Sequence, residues 1–209
     1  MRDTKSYLNS LKTFAKEVGA TQTLVCDAHP TQTKREVRDF LAQIGTTLRV
    51  LEANTQWANR AELYVGLLKE AIQKDMRETN SPLVLWDYCL ECRVLIFQVT
   101  AKKLFQLNGT NPHTATFGTE ADISHLCQFG WYEWVYYPDQ SASFSYPKEC
   151  LGRCLGPAKN EGNAMAQWIL NENGRVVVRR SIRRLTPREL SPSNESEVAK
   201  REAANYSFV

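Results

Sequence analysis

The chain has 209 residues, of which 43% are hydrophobic, and its formal net charge is +3 at pH 7. This length and apolar content suffice for a buried core, in one large domain or two small ones. The small net charge gives no argument for nucleic acid from the total alone, although charges can be unevenly placed. No run approaches the roughly 18 apolar residues of a membrane span, and "MRDTKSYLNS" lacks the apolar core of a signal peptide. We therefore expect an intracellular protein with no membrane partner.

The first half of the chain alternates helical and strand patterns. A helical pattern ends at Gly19, which suits a left-handed cap, and the apolar run "QTLVCD" then predicts a strand ending at Asp27. Thr33 and Glu36 form a capping box, which predicts a helix that ends at Gly45. The segment "TTLRVLE" predicts the second strand.

A loop over residues 53–58 separates this strand from a long helix. The predicted buried stripe of that helix has four apolar positions at helical spacing, namely Ala61, Val65, Leu68 and Ile72. Ser81 and Pro82 then begin an apolar helix that runs to about Leu104. Because helices must cross between neighbouring parallel strands, this order predicts an α/β fold with a largely parallel sheet. Two short strands are too few for such a sheet, so we expect its middle strands to precede Met1.

After about Gly118 the pattern changes to short aromatic or β-branched runs separated by turn residues, and Asn173-Gly174 is a strong hairpin signal. These runs are "FGWYEWVYYPD", "ECLGRCLGP", "MAQWIL" and "RVVVRRSIRRL". They predict a small antiparallel barrel or sandwich, with the tryptophans at 131, 134 and 168 filling it. The segment "SPSNESEVAKREAANYSFV" predicts a polar, mobile tail.

Six cysteines are present, and in a reducing compartment they are expected as thiols. Cys89 and Cys92 form a CxxC pair, and Cys150 and Cys154 form a second pair with wider spacing. A zinc site would require the two pairs to converge, although one lies in a predicted buried helix and the other in a predicted strand. Buried small apolar residues are the better interpretation.

Two carboxylates lie where ligands of α/β sheets bind. Asp27 ends a strand and Glu62 lies in the first turns of a helix, so both can meet at one sheet edge. Two hard oxygen ligands suit Mg²⁺, and paired metals catalyse phosphodiester displacement. In the alternative interpretation Asp27 caps a turn and Glu62 complements the helix dipole. Glu62, Gly66, Lys69 and Gln73 fall along one predicted exposed line of the helix.

The stretch "LVCDAHPTQTKREVRDFLAQIGTTLRVLEANTQWANRAE" closely resembles the second half of the integrase core of copia-type retrotransposons. These are DDE polynucleotidyl transferases with a ribonuclease H-like fold. The matching positions are a strand-terminal Asp27 and an "NRAE" helix start at Asn59 to Glu62. "SPLVLWDYCLE" resembles the next helix, and "GTEADISHLCQFGWYEWVYYPD", "LGRCLGPAKNEGNAMAQWIL" and "GRVVVRRSIRRLTPREL" resemble the small barrel that follows. The resemblance covers about residues 3–190.

The resemblance implies a partial ribonuclease H-like integrase core over residues 1–118, a small all-β DNA-binding barrel over 119–190 and a disordered tail over 191–209. It also implies that Asp27 and Glu62 are catalytic and hold Mg²⁺ or Mn²⁺ for strand transfer into DNA. The family's first catalytic Asp lies on the opening strand, upstream of Met1, and Asp3 is expected to cap a helix instead. We therefore expect a fragment with little or no strand transfer by itself.

The expected DNA contacts lie mainly in the arginine-rich segment 175–188, which contains no acidic residue. On a strand, Arg179 and Arg183 share one face while Arg180 and Arg184 share the other, so at least one pair can bind phosphates. The alternative is an edge strand protected by charge. Further predicted contacts are Lys69 and Gln73, with a solvated helix face as their alternative.

Trp57 and Asn59 are expected to shape the loop over the scissile phosphate, although Trp57 can equally pack under that loop. The implied partners are element and target DNA in the nucleus, with a homo-oligomer in the full integrase. The alternative function is a remnant of a transposable element that binds nucleic acid or chromatin without catalysis.

Overall fold

The computed structural model describes residues 3–52, 60–103, 107–138, 148–159, 161, 165–193 and 196–203. The fold is mixed α/β and divides into two compact units, Met1–Lys69 and Glu70–Val209. The helices are α1 (Thr4–Glu17), α2 (Pro30–Thr33), α3 (Arg35–Gln43), α4 (Arg60–Glu78), α5 (Trp86–Val99), α6 (Pro112–Phe117), α7 (Ser124–Cys127) and α8 (Glu197–Ala203). The strands are β1 (Thr23–Cys26), β2 (Thr47–Val50), β3 (Trp134–Pro138), β4 (Glu149–Pro157), β5 (Gln167–Leu170), β6 (Val176–Arg179) and β7 (Arg183–Arg184). None of the described helices is long and apolar enough to cross a membrane.

The first unit contains a two-stranded parallel sheet of β1 and β2, as the sequence predicted. Val37 and Leu41 of α3 are buried, and Gly19 has the expected positive φ of 104° after α1. Val25 of β1 remains 43% exposed and Val50 of β2 remains 37% exposed. A sheet of this size therefore buries little of its own apolar surface.

The predicted capping box before α3 is wrong. The capping box of Thr33 and Glu36 does not form, because α3 begins at Arg35 and Lys34 makes no side-chain cap bond. Thr33 instead ends the short helix α2, where its hydroxyl donates to the carbonyl of His29 at 3.3 Å.

The predicted buried stripe of α4 is wrong at its beginning. Ala61 is exposed and Val65 is 48% exposed, whereas Leu68 and Ile72 are half-buried. Helical spacing fixes which side chains share a face, but burial also needs a packing partner.

The second unit is built on a five-stranded antiparallel sheet in the order β6-β5-β4-β3-β7. One face carries a cluster of Val135, Tyr137, Cys154 and Ile169, and the other carries clusters around Trp134 and Leu155. β5 and β6 pair as a hairpin across the predicted turn, in which Gly174 has a φ of 70°. The curved closure of a barrel stays a prediction.

Helix α5 packs on the sheet at β4. A Cβ atom at Gly156 would lie 3.2 Å from Cys92 Sγ, so the absent side chain permits this close approach. The residue also has a φ of 102°, which favours glycine. Helix α5 also contacts α4, because Arg93 donates two hydrogen bonds to the buried carboxylate of Asp75.

Part of the predicted mobile tail forms helix α8 (Glu197–Ala203). Val198 is only 5% exposed and packs in a cluster with Trp134, Tyr136, Leu151 and Leu185. The guanidinium of Arg201 donates to the Leu151 carbonyl at 3.1 Å and pairs with Glu172 at 2.9 Å. Val198 and Arg201 therefore attach residues 197–203 to the sheet.

The compact units meet at residues 69 and 70, whereas the predicted core ends at 118. Helix α5 groups with the sheet because of its contact with β4. The predicted division follows from the family resemblance rather than from compactness, and it stays a prediction.

Replacing Asp75 with Asn should destabilise the second unit by about 2 kcal/mol, because a largely buried Arg93 then loses its counter-charge. The midpoint of urea unfolding, followed by tryptophan fluorescence, measures the effect. Glu78→Gln is the matched control, since its pair with Lys74 at 3.8 Å is exposed and contributes little. Equal midpoints for the two variants would contradict the structural role of the buried pair.

Candidate metal and nucleic-acid sites

Asp27 lies at the carboxyl end of β1, at the edge where the parallel strand β2 also ends. The register pairs Cys26 with Val50, and the amide of Leu51 donates to the Cys26 carbonyl at 2.8 Å. Asp27 itself is half-buried. Burial raises the pKa of the neighbouring Cys26 thiol, and the Asp27 charge raises it further.

Glu62 is exposed in the first turn of α4, where its charge complements the helix dipole. Gly66, Lys69 and Gln73 are exposed as well, so the predicted line along the helix is accessible. Leu63 and Val65 are also exposed, and accessibility alone therefore does not separate the polar line from the rest of the helix surface. A role of Lys69 and Gln73 in DNA binding stays a prediction.

The donor set of Asp27 and Glu62 fits a hard divalent cation. Mg²⁺ takes one or two protein carboxylates and fills its remaining positions with water and phosphate oxygens. A half-buried and an exposed carboxylate leave such positions open to water and to a phosphate. Within the described ranges, no three His, Cys, Asp or Glu side chains group as metal ligands. Convergence of the two carboxylates on one ion stays a prediction, and Trp57 and Asn59 lie outside the described residues.

Two of the four arginines predicted to bind DNA are paired with acids. Arg183 bonds to Glu149 at 2.5 Å and to Glu189 at 3.0 Å. Arg184 lies 3.3 Å from Glu133 and donates to the Gln128 carbonyl at 2.7 Å. Three carboxylates thus offset two guanidinium charges, which reduces the attraction of this strand for phosphate.

The pKa values of the paired groups show the same compensation. Hydrogen bonds to Glu149 and Glu189 raise the pKa of Arg183, and the bond from Arg183 lowers the pKa of Glu189 to about 2. The pKa of Glu149 is also lowered by its hydrogen bond with Arg183. The absence of acidic residues within 175–188 did not reveal these ion pairs. Glu133 and Glu149 lie in other segments, and Glu189 directly follows the arginine-rich segment.

The other arginines of the segment remain more available. Arg180 is exposed in the turn after β6, and Arg175 and Arg188 are also exposed, without an ion pair in the described part of the chain. Arg179 is half-buried, with its Nη1 on the Val178 carbonyl at 2.8 Å and its Nε lacking an acceptor among the described residues. The three exposed side chains offer donors to an anion, and two of these, Arg175 and Arg188, were not among the first candidates.

The burial of the cysteine pairs agrees with their interpretation as small apolar residues. Cys89 and Cys154 are fully buried, and burial raises the pKa of each thiol to about 12. Burial likewise raises the pKa of Cys92 to about 11. Protonated, buried thiols are poor metal ligands and poor nucleophiles.

No family model and no curated protein matches this chain. Among solved structures, it is similar to a chain of the cryo-EM structure of a simian T-cell lymphotropic virus intasome in complex with the PP2A regulatory subunit B56 gamma. The TM-score is 0.46 and the sequence identity is 12%, and the similarity covers 90% of this chain and 66% of that chain. The chain therefore spans slightly less than two thirds of that neighbour. A similarity this low carries no argument about function, and the ribonuclease H-like core remains a hypothesis from sequence.

The pairing of Arg183 predicts a loss of stability in acid. The pKa of Glu189 falls from an ordinary 4.5 to about 2 on folding, so its contribution is present above about pH 4.5 and is lost as the pH falls toward 2. Arg183→Gln should remove much of this pH dependence from the urea midpoint between pH 6 and pH 3. Arg188→Gln, at an exposed arginine, should retain it. An unchanged acid loss in Arg183→Gln would contradict the linkage.

Proposed function

We propose that this chain is part of a copia-type retrotransposon integrase that binds DNA and holds Mg²⁺ or Mn²⁺ through Asp27 and Glu62. The observation that carries this proposal is the parallel pair of β1 and β2. Its carboxyl edge presents Asp27, and the chain that leaves β2 at this edge next enters α4 with Glu62 in the first turn. The resemblance of the stretch from Leu24 to Glu62 to the integrase core supports the same assignment.

The proposed activity is transfer of a DNA 3′-hydroxyl onto a target phosphodiester. Divalent ions, when bound, would activate the hydroxyl and stabilise the leaving oxygen. Asp27 would supply a ligand fixed by the strand end, and Glu62 would supply one from a helix. Asp3 is not a further ligand, because its carboxylate caps α1 and accepts from the Ser6 amide at 2.6 Å. The first catalytic Asp of the resembled family therefore has no counterpart at Asp3.

DNA would contact the exposed arginines rather than the paired ones. Arg175, Arg180 and Arg188 are exposed around β6 and β7, where their guanidinium groups can bind phosphates without reading sequence. A role in the nucleus and assembly into a homo-oligomer belong to this proposal through the family resemblance.

The second candidate is binding of nucleic acid or chromatin without catalysis. The exposed arginines favour it, because they lie in the second unit and bind anions whether or not a metal is held by the first. The two candidates differ in whether a divalent ion binds at the two carboxylates.

Asp27→Asn and Glu62→Gln should each weaken Mn²⁺ binding at least about tenfold, since changes even outside the direct ligands of a metal cost that much. Electron paramagnetic resonance of free Mn²⁺ measures the affinity. Asp39→Asn on α3 and Glu70→Gln on α4 each remove an exposed carboxylate outside the proposed pair and should leave the affinity unchanged. If only one of the two test variants weakens binding, the carboxylates do not share an ion.

Replacing Arg175, Arg180 and Arg188 together with Gln should lower duplex DNA affinity and flatten its salt dependence. The slope of log K against log salt should decrease by up to about 2.7, or about 0.9 for each lost phosphate contact. Fluorescence anisotropy with a labelled duplex measures both quantities. The matched control replaces the exposed Lys5, Lys16 and Lys34 with Gln, which removes the same charge from the first unit. Equal losses in both variants would reject the assigned surface.

A further inference from the structure

The second unit contains a cavity of about 420 Å³ where α5 ends and β4 leaves the sheet. Its walls come from α5, α6, α7 and the segments that follow α6 and β4. None of its lining residues belongs to the carboxylate pair or to the arginine surface. The volume lies within the roughly 300–1,000 Å³ typical of small-molecule sites, which are mostly apolar with a few polar groups.

The cavity is held open by contacts within its walls. Its floor is apolar and includes Leu95, Leu126 and Pro157. Gln167 is 1% exposed and donates its Nε2 to the His125 carbonyl at 3.0 Å, which fixes α7 on the sheet. Asn111 caps α6 by accepting from the Thr114 amide at 2.8 Å. The site is therefore formed before any ligand enters.

The polar rim supplies mainly hydrogen-bond acceptors. The Nδ1 atom of His113 lies 3.2 Å from the Thr119 carbonyl, which can only accept, so Nδ1 carries the proton and a neutral ring leaves Nε2 as an acceptor. Asp122 accepts from the Ser124 amide at 2.9 Å, and hydrogen bonds to Ser124 lower the pKa of its carboxyl. Glu120 adds a second carboxylate, and Lys159 is the one lysine or arginine among the described residues of the lining.

We propose that this cavity binds a small organic cation, with its apolar body on the floor and its N–H donors toward Glu120, Asp122 and His113. The rim carries two carboxylates against one ammonium group, so its charge favours a cation over an anion. A neutral ligand would bury the same apolar surface but leave the acceptors without charged donors.

Three probes of one shape test this assignment on the full chain: benzamidine, the neutral benzamide and the anionic benzoate. Titrations followed by ¹H–¹⁵N correlation spectra should place the benzamidine shifts at residues 120–126 and 157–159. Benzamidine should bind several-fold more tightly than benzamide, and benzoate should bind most weakly. Asp122→Asn keeps an oxygen for the Ser124 amide and should weaken benzamidine up to about fivefold, the range of an exposed charge pair.

The matched control is Asp87→Asn, because Asp87 also accepts from a backbone amide, that of Tyr88 at 2.9 Å, but lies outside the cavity lining. It should leave benzamidine affinity unchanged. Glu120→Gln, at an exposed position without a capping role, provides a second test if Asp122→Asn perturbs the fold. Equal binding of the three probes, shifts elsewhere, no binding, or equal effects of Asp87→Asn and Asp122→Asn would each overturn the assignment.

Discussion

The packing of α5 on β4 is the contact on which the second unit depends. β4 is paired on both edges, with β3 and β5, so a helix can reach it only across its face. Gly156 makes this possible, because a Cβ there would press on Cys92 of α5. With α5 in place, Arg93 can bond to Asp75 of α4, and the ends of α5 and β4 form the walls of the cavity. The close approach of β4 to α5 at Gly156 therefore positions both the Arg93–Asp75 pair and the walls of the cavity.

Charge compensation decides which arginines of the arginine-rich segment keep an unpaired positive charge among the described residues. Arg183 and Arg184 extend the sheet edge through β7, and acids of β4 and of the segment before β3 lie beside them. Their ion pairs stabilise the placement of a two-residue strand that has few backbone bonds. The arginines outside these pairs keep charges that phosphates can approach. The interpretation as an edge strand protected by charge therefore holds for Arg183 and Arg184, and DNA binding by the other arginines stays a prediction.

The sequence predicted what depends on local pattern. The strand ending at Asp27, the parallel pairing and the hairpin at Gly174 follow from short-range signals, and the structure has them. Features set by distant partners were missed. Arg183 and Glu149 are 34 positions apart, Val198 is buried only because Trp134 and Tyr136 lie opposite, and Val65 is exposed although its spacing fits a buried stripe. Asp27 and Glu62 could be proposed from sequence because a strand end and a helix start are local features, whereas the cavity arises from elements far apart in sequence.

The proposed metal site has a consequence for the stability of the first unit. β1 and β2 leave Val25 and Val50 partly exposed, so this small sheet gains limited free energy from apolar burial. An ion held by Asp27 and Glu62 would connect β1 to α4, which are 34 residues apart in the chain, and it would bind the folded state alone. At a free concentration 100 times its dissociation constant, such an ion stabilises by about 2.7 kcal/mol. Metal binding and folding of this unit would therefore be linked, and loss of either carboxylate would remove the stabilisation that the ion provides without changing a core side chain.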